Sequence, residues 1–368
     1  MRGWKKAVSL SMMLGTLVFS GCYGSTVQDT NVSAKTAAQL ERGDSAAEID
    51  AEFAERFDKA RKAAHKMVVH EDGRLIVHHK YGETIVPEKV ERVVVIRLED
   101  LMVALDEPML GANYKPDHYL YDELKNRNVV NISINDETKT INYEQVQSLH
   151  PDLILLRDSF DRSLYDKLSR IAPTAAFNLR QSEASLLGLS MTLGHEQRGE
   201  ERLRAYYALA KECRIGIRQS IGQSTVAMMR IMNKEIRIYP YSQNDINRFM
   251  YELLNLRPPE MVLAADHSTT NNALSLEQLP DLSADILLVS TGYGTSSSQN
   301  GSIANERYAR LAKDEVWQMI PAVKNGQVIE VDSALWNSHG IIAKERAMMF
   351  LYQNVKEFQI NGKYNCND

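Results

Sequence analysis

The sequence predicts an α/β protein with two similar lobes that a single long helix joins. From Val93 onwards, apolar segments typical of buried strands alternate with amphipathic segments typical of helices. The segments YEQVQSLHPDLILL at 143–156 and LEQLPDLSADILLV at 276–289 share one pattern. This similarity indicates a repeated unit, although chance resemblance of two amphipathic pieces stays open. Residues 196–221 have helical spacing and contain no proline.

The first lobe is predicted from a run of alternating segments. It begins with RVVVI at 92–96, whose apolar run is typical of a strand buried on both faces. The segments that follow are the helical LEDLMVALDE, then PMLGANY, a helix around YLYDELKN, VVNISI, the helix NYEQVQSLH and the strand DLILL. This alternation predicts βαβ units and a mainly parallel sheet.

The second lobe repeats the first in outline. TVAMMRIM is predicted to be a strand. A turn follows at 233–235, and IRIYP is a second strand that runs back along the first. INRFMYELLNL is helical, LSLEQLPDLSADILLVS is a helix followed by a strand, and GQVIEVD is a late strand. The helix between the lobes is expected to be about 39 Å long at the usual rise of ~1.5 Å per residue. Its stiffness predicts that the lobes do not close widely.

The segment before the first lobe is predicted to contain a helix and a hairpin. AAEIDAEFAERFDKARKAAHKM places Ile49, Phe53 and Phe57 on one stripe, whose packing partner the sequence does not identify. GRLIVHHKYGETIVP indicates a hairpin or an edge strand. The predicted limits are a signal peptide at 1–21, a tether and helix at 22–70, the first lobe at 71–195, the connecting helix at 196–221, the second lobe at 222–360 and a tail at 361–368.

The N-terminus has the features of a secretory signal. Three cations, Arg2, Lys5 and Lys6, precede an uncharged apolar run at 7–19, which is shorter than the ~20 residues that a membrane-spanning helix needs. Two small residues, Ser20 and Gly21, precede Cys22, as in the lipobox of a bacterial lipoprotein. Phe19 stands where that motif usually has an aliphatic residue. An ordinary signal peptide with an incidental cysteine is the alternative.

The composition excludes several classes of protein. Hydrophobic residues make up 44% and charged residues 25%, as in ordinary soluble proteins, and the net charge of −5 argues against a nucleic-acid surface. Beyond the signal only Cys213 and Cys366 remain, which implies no disulfide framework, and whether they pair stays open. The histidines show no metal-ligand spacing, and no nucleophile elbow is present. The sequence therefore predicts no protein metal site and no catalytic residue.

Arginines stand at or near the ends of three apolar strands. Arg97 and Arg157 end VVVIR and LILLR, and Arg230 lies near the end of TVAMMRIM. An unpaired buried cation costs several kcal/mol (roughly 3–5), whereas ligands of α/β sheets bind beyond the carboxyl ends of the strands. The arginines therefore predict an anionic ligand. Buried ion pairs with the nearby Glu99 and Asp158 are the alternative.

Loops after the strands add polar and aromatic candidates. Tyrosine and tryptophan offer flat contact area to a bulky, part-aromatic ligand. For each aromatic residue the alternative is ordinary core packing. The additional candidates for ligand binding are Tyr114, Lys115, Tyr293, Arg307, Trp336 and His339.

The order of these segments resembles one family. A lipobox cysteine, PEKVERVVVI, YEQVQSLHPDLILL, a lone connecting helix, SLEQLPDLSADILLV and VWQMIPAVKNGQVIEVDSALW follow one another as in the iron-siderophore substrate-binding lipoproteins of ABC importers. The resemblance covers residues 73–358. It implies two Rossmann-like lobes joined by one helix, which is the class III periplasmic binding protein fold.

The resemblance also implies roles for individual residues. Arg230 matches a ligand-binding arginine of the family, Trp336 a cleft tryptophan, and Arg97 a position that often faces the ligand. Asp100 and Glu252 match the acidic residues that dock on the permease, with aspartate at the first position where glutamate is commoner. The chain departs from the family after its first helix, where VALDEP replaces the usual LLALG.

The function implied by the resemblance is capture of a ferric siderophore. The protein would be a monomer outside the cytoplasm, anchored to the bacterial cell membrane by lipidated Cys22, without a covalent cofactor, and would deliver its ligand to an ABC permease and ATPase. The chemistry of the chelate, catecholate, hydroxamate or carboxylate, stays open. A haem or cobalamin receptor is an alternative, with Tyr293 or His339 as axial ligand to haem. An enzyme of the chelatase type is a further one.

Overall fold

The structure is a computed structural model that describes residues 43–135, 138, 140–241, 245–292 and 299–360. The predicted signal peptide, Cys22, Tyr293, Cys366 and the tail lie outside these residues. Within the described part, no helix combines the length and the apolar character needed to cross a membrane.

The described chain begins with a long helix and a small antiparallel sheet. Helix α1, Ala46–Met67, starts at a capping box in which Ser45 and Glu48 bond each other's backbone. Its predicted apolar stripe is buried. The sheet that follows consists of β1 (Val68–Glu71), β2 (Arg74–His79) and β3 (Gly82–Ile85), in the order β1-β2-β3. The predicted hairpin is therefore confirmed.

The first lobe is built on a five-stranded parallel sheet. Its strands are β4 (Val93–Ile96), β5 (Gly111–Ala112), β6 (Val130–Asn131), β7 (Leu153–Arg157) and β8 (Thr174–Phe177), arranged as β6-β5-β4-β7-β8. The helices between and after them are α2 (Glu99–Ala104), α3 (Tyr121–Asn126), α4 (Tyr143–Ser148), α5 (Arg162–Ser169) and α6 (Ser182–Thr192). A short 3₁₀ turn, Leu179–Gln181, separates β8 from α6. This alternation confirms the predicted βαβ units.

The second lobe has a mixed five-stranded sheet. Its strands are β9 (Val226–Ile231), β10 (Ile236–Ile238), β11 (Asn272–Leu274), β12 (Ile286–Thr291) and β13 (Val328–Glu330), arranged as β11-β10-β9-β12-β13. Strands β9, β12 and β13 are parallel, whereas β10 runs antiparallel to both of its neighbours, as its predicted return after a turn requires. In each lobe the five strands therefore lie in the sequence order third, second, first, fourth, fifth.

The helices of the second lobe are mostly short. They are α8 (Asp245–Asn247), α9 (Glu260–Leu263), α10 (Gln299–Leu311), α11 (Glu315–Gln318), α12 (Pro321–Lys324) and α13 (Ser333–Trp336). The predicted helix INRFMYELLNL is mainly a π-helix, Arg248–Leu253, that continues α8. The helix predicted before β12 is a 3₁₀ segment, Leu276–Asp281, which contains Pro280. Proline supplies no backbone N–H, which disfavours a longer α-helix there.

The repeated sequence unit holds the same position in both lobes. The Asp152 carboxylate accepts hydrogen bonds from the backbone N–H groups of Glu91 and Arg92, just before β4. The Asp285 carboxylate accepts one from the backbone N–H of Thr225, just before β9. Each aspartate thus connects the start of the fourth strand of its lobe to the start of the first.

Two long helices pack side by side along the two lobes. Helix α7, Glu196–Ile221, occupies the residues predicted for the connecting helix. Helix α14, Ile341–Ile360, packs along α7 and also contacts α2 of the first lobe. A Cβ atom at Gly216 would lie 2.3 Å from the ring of Tyr352, so the close approach of these helices requires glycine. The sequence did not predict that the last helix returns to the first lobe.

The N-terminal segment is tied to α7 by a buried ionic network. The Arg214 side chain is 1% exposed and donates to Asp44 Oδ1 at 2.9 Å and to Glu52 Oε2 at 2.8 Å. The other carboxylate oxygen of Asp44 accepts from Arg218 at 2.6 Å, and Asn255 of the second lobe also donates to Asp44. One carboxylate therefore joins the start of the described chain, the connecting helix and the second lobe.

Replacing Asp44 by alanine should lower the free energy of unfolding by roughly 2–4 kcal/mol, because the buried Arg214 loses one of its two carboxylate partners. Asp50→Ala on α1 is the matched control. Asp50 is 63% exposed and pairs with Lys211, so the control should cost less than about 1 kcal/mol. Urea titration followed by circular dichroism measures both, and equal effects would contradict the expectation.

The same interaction gives the unfolding free energy a defined dependence on pH. The pKa of Asp44 lies below its ordinary value of 3.8, because hydrogen bonds from Asn255 and Arg214 and the charge of Arg218 outweigh the opposing effect of burial. The stabilisation is therefore complete above pH 3.8 and is lost as the pH falls through the lower folded pKa. In Asp44→Ala, the decrease in unfolding free energy below pH 3.8 that comes from protonation of Asp44 should be absent.

Candidate ligand-binding site

Three arginines meet at the carboxyl edge of the first sheet. Arg97 follows β4 with a left-handed backbone conformation, φ 63°, Arg157 is the last residue of β7, and Arg180 lies in the 3₁₀ turn after β8. Burial lowers the pKa of Arg157, and the charges of Arg97 and Arg180 lower it further, against an opposing effect of Glu99. The Arg157 guanidinium group thus interacts electrostatically with those of Arg97 and Arg180.

Two carboxyl groups face these arginines. Glu99 is 5% exposed, and burial raises its pKa although Arg97 and Arg157 act in the opposite direction. Burial also raises the pKa of Asp158, against the opposing charges of Lys80 and Arg157. The surrounding cations therefore do not offset the cost of burying either carboxylate. Three guanidinium groups and these two carboxyl groups therefore lie together at this edge.

Arg230 lies at the carboxyl edge of the second sheet but uses its side chain within the protein. It is 5% exposed, and its Nε donates to the carbonyl oxygen of Gly292 at 2.7 Å. Its terminal nitrogens donate to Asn337 Oδ1 at 2.8 Å and Ser333 Oγ at 3.4 Å. These three acceptors follow β12 and β13, so Arg230 holds both loops in place.

The remaining predicted cations lie near the same edges. Arg307, on α10, is half-buried and donates to the carbonyl oxygen of Met232, directly after β9. Lys115 is exposed on the loop after β5. The structure thus brings Arg307 and Arg230 to the end of the same strand, whereas Tyr293 falls outside the described residues.

Two predicted aromatic ligand contacts are core residues instead. Tyr114 is 8% exposed, its hydroxyl donates to the carbonyl oxygen of Val129 at 2.6 Å, and its ring packs edge-on against Tyr121. Trp336 is 4% exposed and packs edge-on against Phe249. Tyr114 offers no surface to a ligand, and Trp336 borders only a small internal cavity, so the prediction that they contact a ligand is wrong. Ordinary packing, the alternative considered for both, explains them.

His339 belongs to an internal ion cluster. Its Nδ1 lies 2.8 Å from Asp245 Oδ2, and Lys344 Nζ lies 3.2 Å from the same oxygen. Burial opposes ionisation of Asp245, yet Lys344 and His339 hold its pKa well below the ordinary value. Burial lowers the pKa of His339. This ring is therefore directed at Asp245, which corrects its predicted role as a ligand contact. A small cavity beside the cluster is lined by Asp245, Phe249, Leu335, Trp336, Ser338 and Lys344.

Asp100 joins the two lobes and is not a surface residue. It is 3% exposed, and its carboxylate accepts from the backbone N–H groups of Ile342 at 3.1 Å and Ala343 at 3.0 Å, in the first turn of α14. The hydroxyl of Tyr119 donates to it at 2.8 Å. A Cβ atom at Gly340 would lie 2.0 Å from its carboxyl carbon. An enclosed carboxylate cannot dock on another protein, so that predicted role of Asp100 is wrong.

The second predicted docking residue has a different environment. The Glu252 side chain is 24% exposed and lies 3.4 Å from Arg248 one helical turn away. Its role in docking stays a prediction.

Arg180, His118 and Tyr119 were not among the residues predicted from the sequence. Arg180 follows strand β8 by three residues, so the pattern of cations after strands would have identified it. His118 lies 3.9 Å from Glu99 and interacts electrostatically with Arg97. No local sequence signal distinguishes His118 or Tyr119, because their partners come from other elements.

Replacing Asp100 by asparagine should lower the free energy of unfolding by roughly 2–3 kcal/mol, because an amide NH₂ group would then face the N–H donors of α14. Asp106→Asn is the matched control, since the Asp106 side chain is 84% exposed and its backbone has a left-handed conformation, φ 54°, that asparagine tolerates. Chemical unfolding compares them. If both variants were as stable as the wild type, the capping role of Asp100 would be excluded.

The sequence of this chain matches one protein family and is similar to several known proteins. The family described as periplasmic binding protein matches residues 108–335. The putative ABC transporter substrate-binding lipoprotein YhfQ of Bacillus subtilis is 26% identical over 281 residues, which cover 72% of this chain and 83% of the relative. The probable siderophore-binding lipoprotein YfiY of the same organism is 26% identical over 304 residues, which cover 79% and 89%.

Solved structures share the fold. Staphylococcus aureus SirA complexed with staphyloferrin B superposes with a TM-score of 0.64 at 22% identity, over 76% of this chain and 98% of SirA. FeuA of Bacillus subtilis complexed with ferri-bacillibactin superposes with a TM-score of 0.60 at 19% identity, over 77% and 98%. The predicted fold of two lobes and one connecting helix is thereby confirmed. With more than half of its length matched by the family, and with this fold, the chain belongs to the periplasmic binding protein family.

Proposed function

We propose that this protein captures an anionic ferric siderophore between its two lobes and delivers it to the permease of an ABC importer. The observation that carries the proposal is the placement of guanidinium groups at the carboxyl edges of both sheets. Arg97, Arg157 and Arg180 lie at the first edge, and Arg307 lies at the second, where it bonds the residue that follows β9. Ligands of such sheets bind beyond these edges. In a chain of net charge −5, this distribution favours a negatively charged ligand.

Relatives support the nature of the ligand. YfiY is named a probable siderophore-binding lipoprotein, and SirA and FeuA were solved with staphyloferrin B and ferri-bacillibactin. A siderophore surrounds its iron with its own donor atoms, so the protein need not supply any. In the described part of the chain, no group of three or more His, Cys, Asp or Glu residues is placed to hold a metal ion.

The structure weakens one argument for the haem alternative. Haem requires an axial protein ligand such as histidine, tyrosine or methionine. The ring of His339 is held by Asp245 at 2.8 Å within the ion cluster, so it would have to leave a buried carboxylate to bind iron. For the enzyme alternative, the relatives are named binding proteins, which favours a receptor over a chelatase.

Titration of the intrinsic fluorescence tests the class of ligand. The panel contains ferric chelates of the catecholate, hydroxamate and carboxylate types, together with haemin and cobalamin. We expect saturable quenching by at least one anionic ferric chelate. Quenching by haemin or cobalamin alone would contradict the proposed function.

Arg157→Ala and Arg307→Ala should each weaken capture at least tenfold, which corresponds to about 1.4 kcal/mol, because each removes a charge-assisted contact at one edge of the cleft. The matched controls are Arg162→Ala and Arg310→Ala, whose side chains are 65% and 72% exposed and pair with acids of their own helices. The controls should bind within about twofold of the wild type. If the site variants fold normally and bind equally well, the arginine edges are not the site.

We also propose that Cys22 carries a lipid that anchors the protein outside the cytoplasm, as the names of the lipoprotein relatives suggest. Cys22→Ala should then be released in soluble form from cells that retain the wild type in the membrane fraction. Metabolic labelling with a radioactive fatty acid gives the direct measurement. Label on the wild type that persists in Cys22→Ala would exclude this position.

A further inference from the structure

Glu99 is a buried acid that the proposed function has not used. It is the first residue of α2, two positions after Arg97, and its side chain is 7% exposed. Its Oε1 lies 3.9 Å from His118 Nε2, while its Oε2 has no hydrogen-bond partner among the described residues. Buried polar atoms are nearly always hydrogen-bonded, so a buried carboxyl oxygen without a partner, close in sequence to Arg97, calls for an explanation.

Charged groups from four parts of the first lobe act on Glu99. Arg97 comes from the end of β4, Arg157 from the end of β7, Asp100 from α2 itself, and His118 from the loop before α3. Burial raises the pKa of Glu99 and Asp100 adds to this, whereas the two arginines lower it. Burial also lowers the pKa of His118 to about 4, so its imidazole is neutral near pH 7.

An anion that binds these arginines must change the protonation equilibrium of Glu99. Its negative charge offsets the two guanidinium charges that favour the carboxylate, and it adds a like charge to a buried carboxylate. Both effects increase the affinity of Glu99 for a proton. By linkage, anion binding is then accompanied by proton uptake, and the affinity for the anion rises as the pH falls.

We propose that Glu99 takes up one proton when the anionic ligand binds at the neighbouring arginines. The proton resides on Oε2, the oxygen that lacks a partner. This inference rests on the proposed function, because the ligand at Arg97 and Arg157 supplies the negative charge. It also narrows the ligand class, since a chelate without net negative charge would bind without this uptake.

The test combines calorimetry with Glu99→Gln, which keeps the shape of the side chain and removes the proton site. The probes are a ferric tris-catecholate chelate and a ferric α-hydroxycarboxylate chelate, titrated in two buffers of different ionisation enthalpy from pH 6 to pH 8. Proton changes of the chelate itself are common to both proteins and cancel in the difference. The wild type should take up as much as one proton more per binding event than Glu99→Gln. Its affinity relative to the variant should rise up to tenfold per pH unit on acidification.

The remaining outcomes distinguish failure of this inference from failure of the proposed function. Equal proton uptake and parallel pH profiles in the wild type and Glu99→Gln would overturn the inference and leave the proposed function standing. Loss of the pH dependence in His118→Gln but not in Glu99→Gln would overturn it in favour of the histidine. If neither chelate binds the wild type, the proposed function and this inference both fall. Should Glu99→Gln fail to fold, Glu99→Leu replaces it with the same expectations.

Discussion

One buried carboxylate, that of Asp100, connects the first lobe to the start of α14. The first N–H groups of a helix have no partners within the helix, and Asp100 supplies acceptors for those of α14. Tyr119 bonds the same carboxylate and also lies 2.9 Å from Ser338 Oγ, so the contact includes the segment that leads into α14. Because α14 packs along the connecting helix, this interaction contributes to fixing the end of the second lobe against the first, together with the bond from Lys344 to Ser182.

The two groups of charges near the cleft differ in how completely they are compensated. At His339, one carboxylate accepts from both Lys344 and the imidazole, which produces a neutral, internally bonded cluster. At the edge of the first sheet, Arg97 and Arg157 face a carboxyl group whose pKa burial raises. A guanidinium group contributes about 4 kcal/mol with an anion at ~4 Å and an effective dielectric constant near 20, before desolvation. The second arrangement is therefore the one that supports the proposed anionic ligand.

Patterns that depend on neighbouring residues predicted the fold well. Apolar runs identified the central strands, and the repeated pattern around Asp152 and Asp285 identified equivalent positions in two sheets of the same order. The use of individual side chains could not be predicted in this way. Asp100 bonds a residue 242 positions away, and Trp336 is buried by tertiary packing. Whether an arginine at a strand end faces the ligand or, like Arg230, supports loops depends on such distant partners.

The equivalence of the lobes has a consequence for how the chain reaches its native state. The bond from Arg92 to Asp152 and the bond from Thr225 to Asp285 each close a loop between residues 60 positions apart. Loop-closure entropy depends on the number of residues enclosed, so closing these two loops costs a similar entropy. The contact between Asp100 and α14 spans 242 positions and therefore closes a loop of higher entropic cost than either.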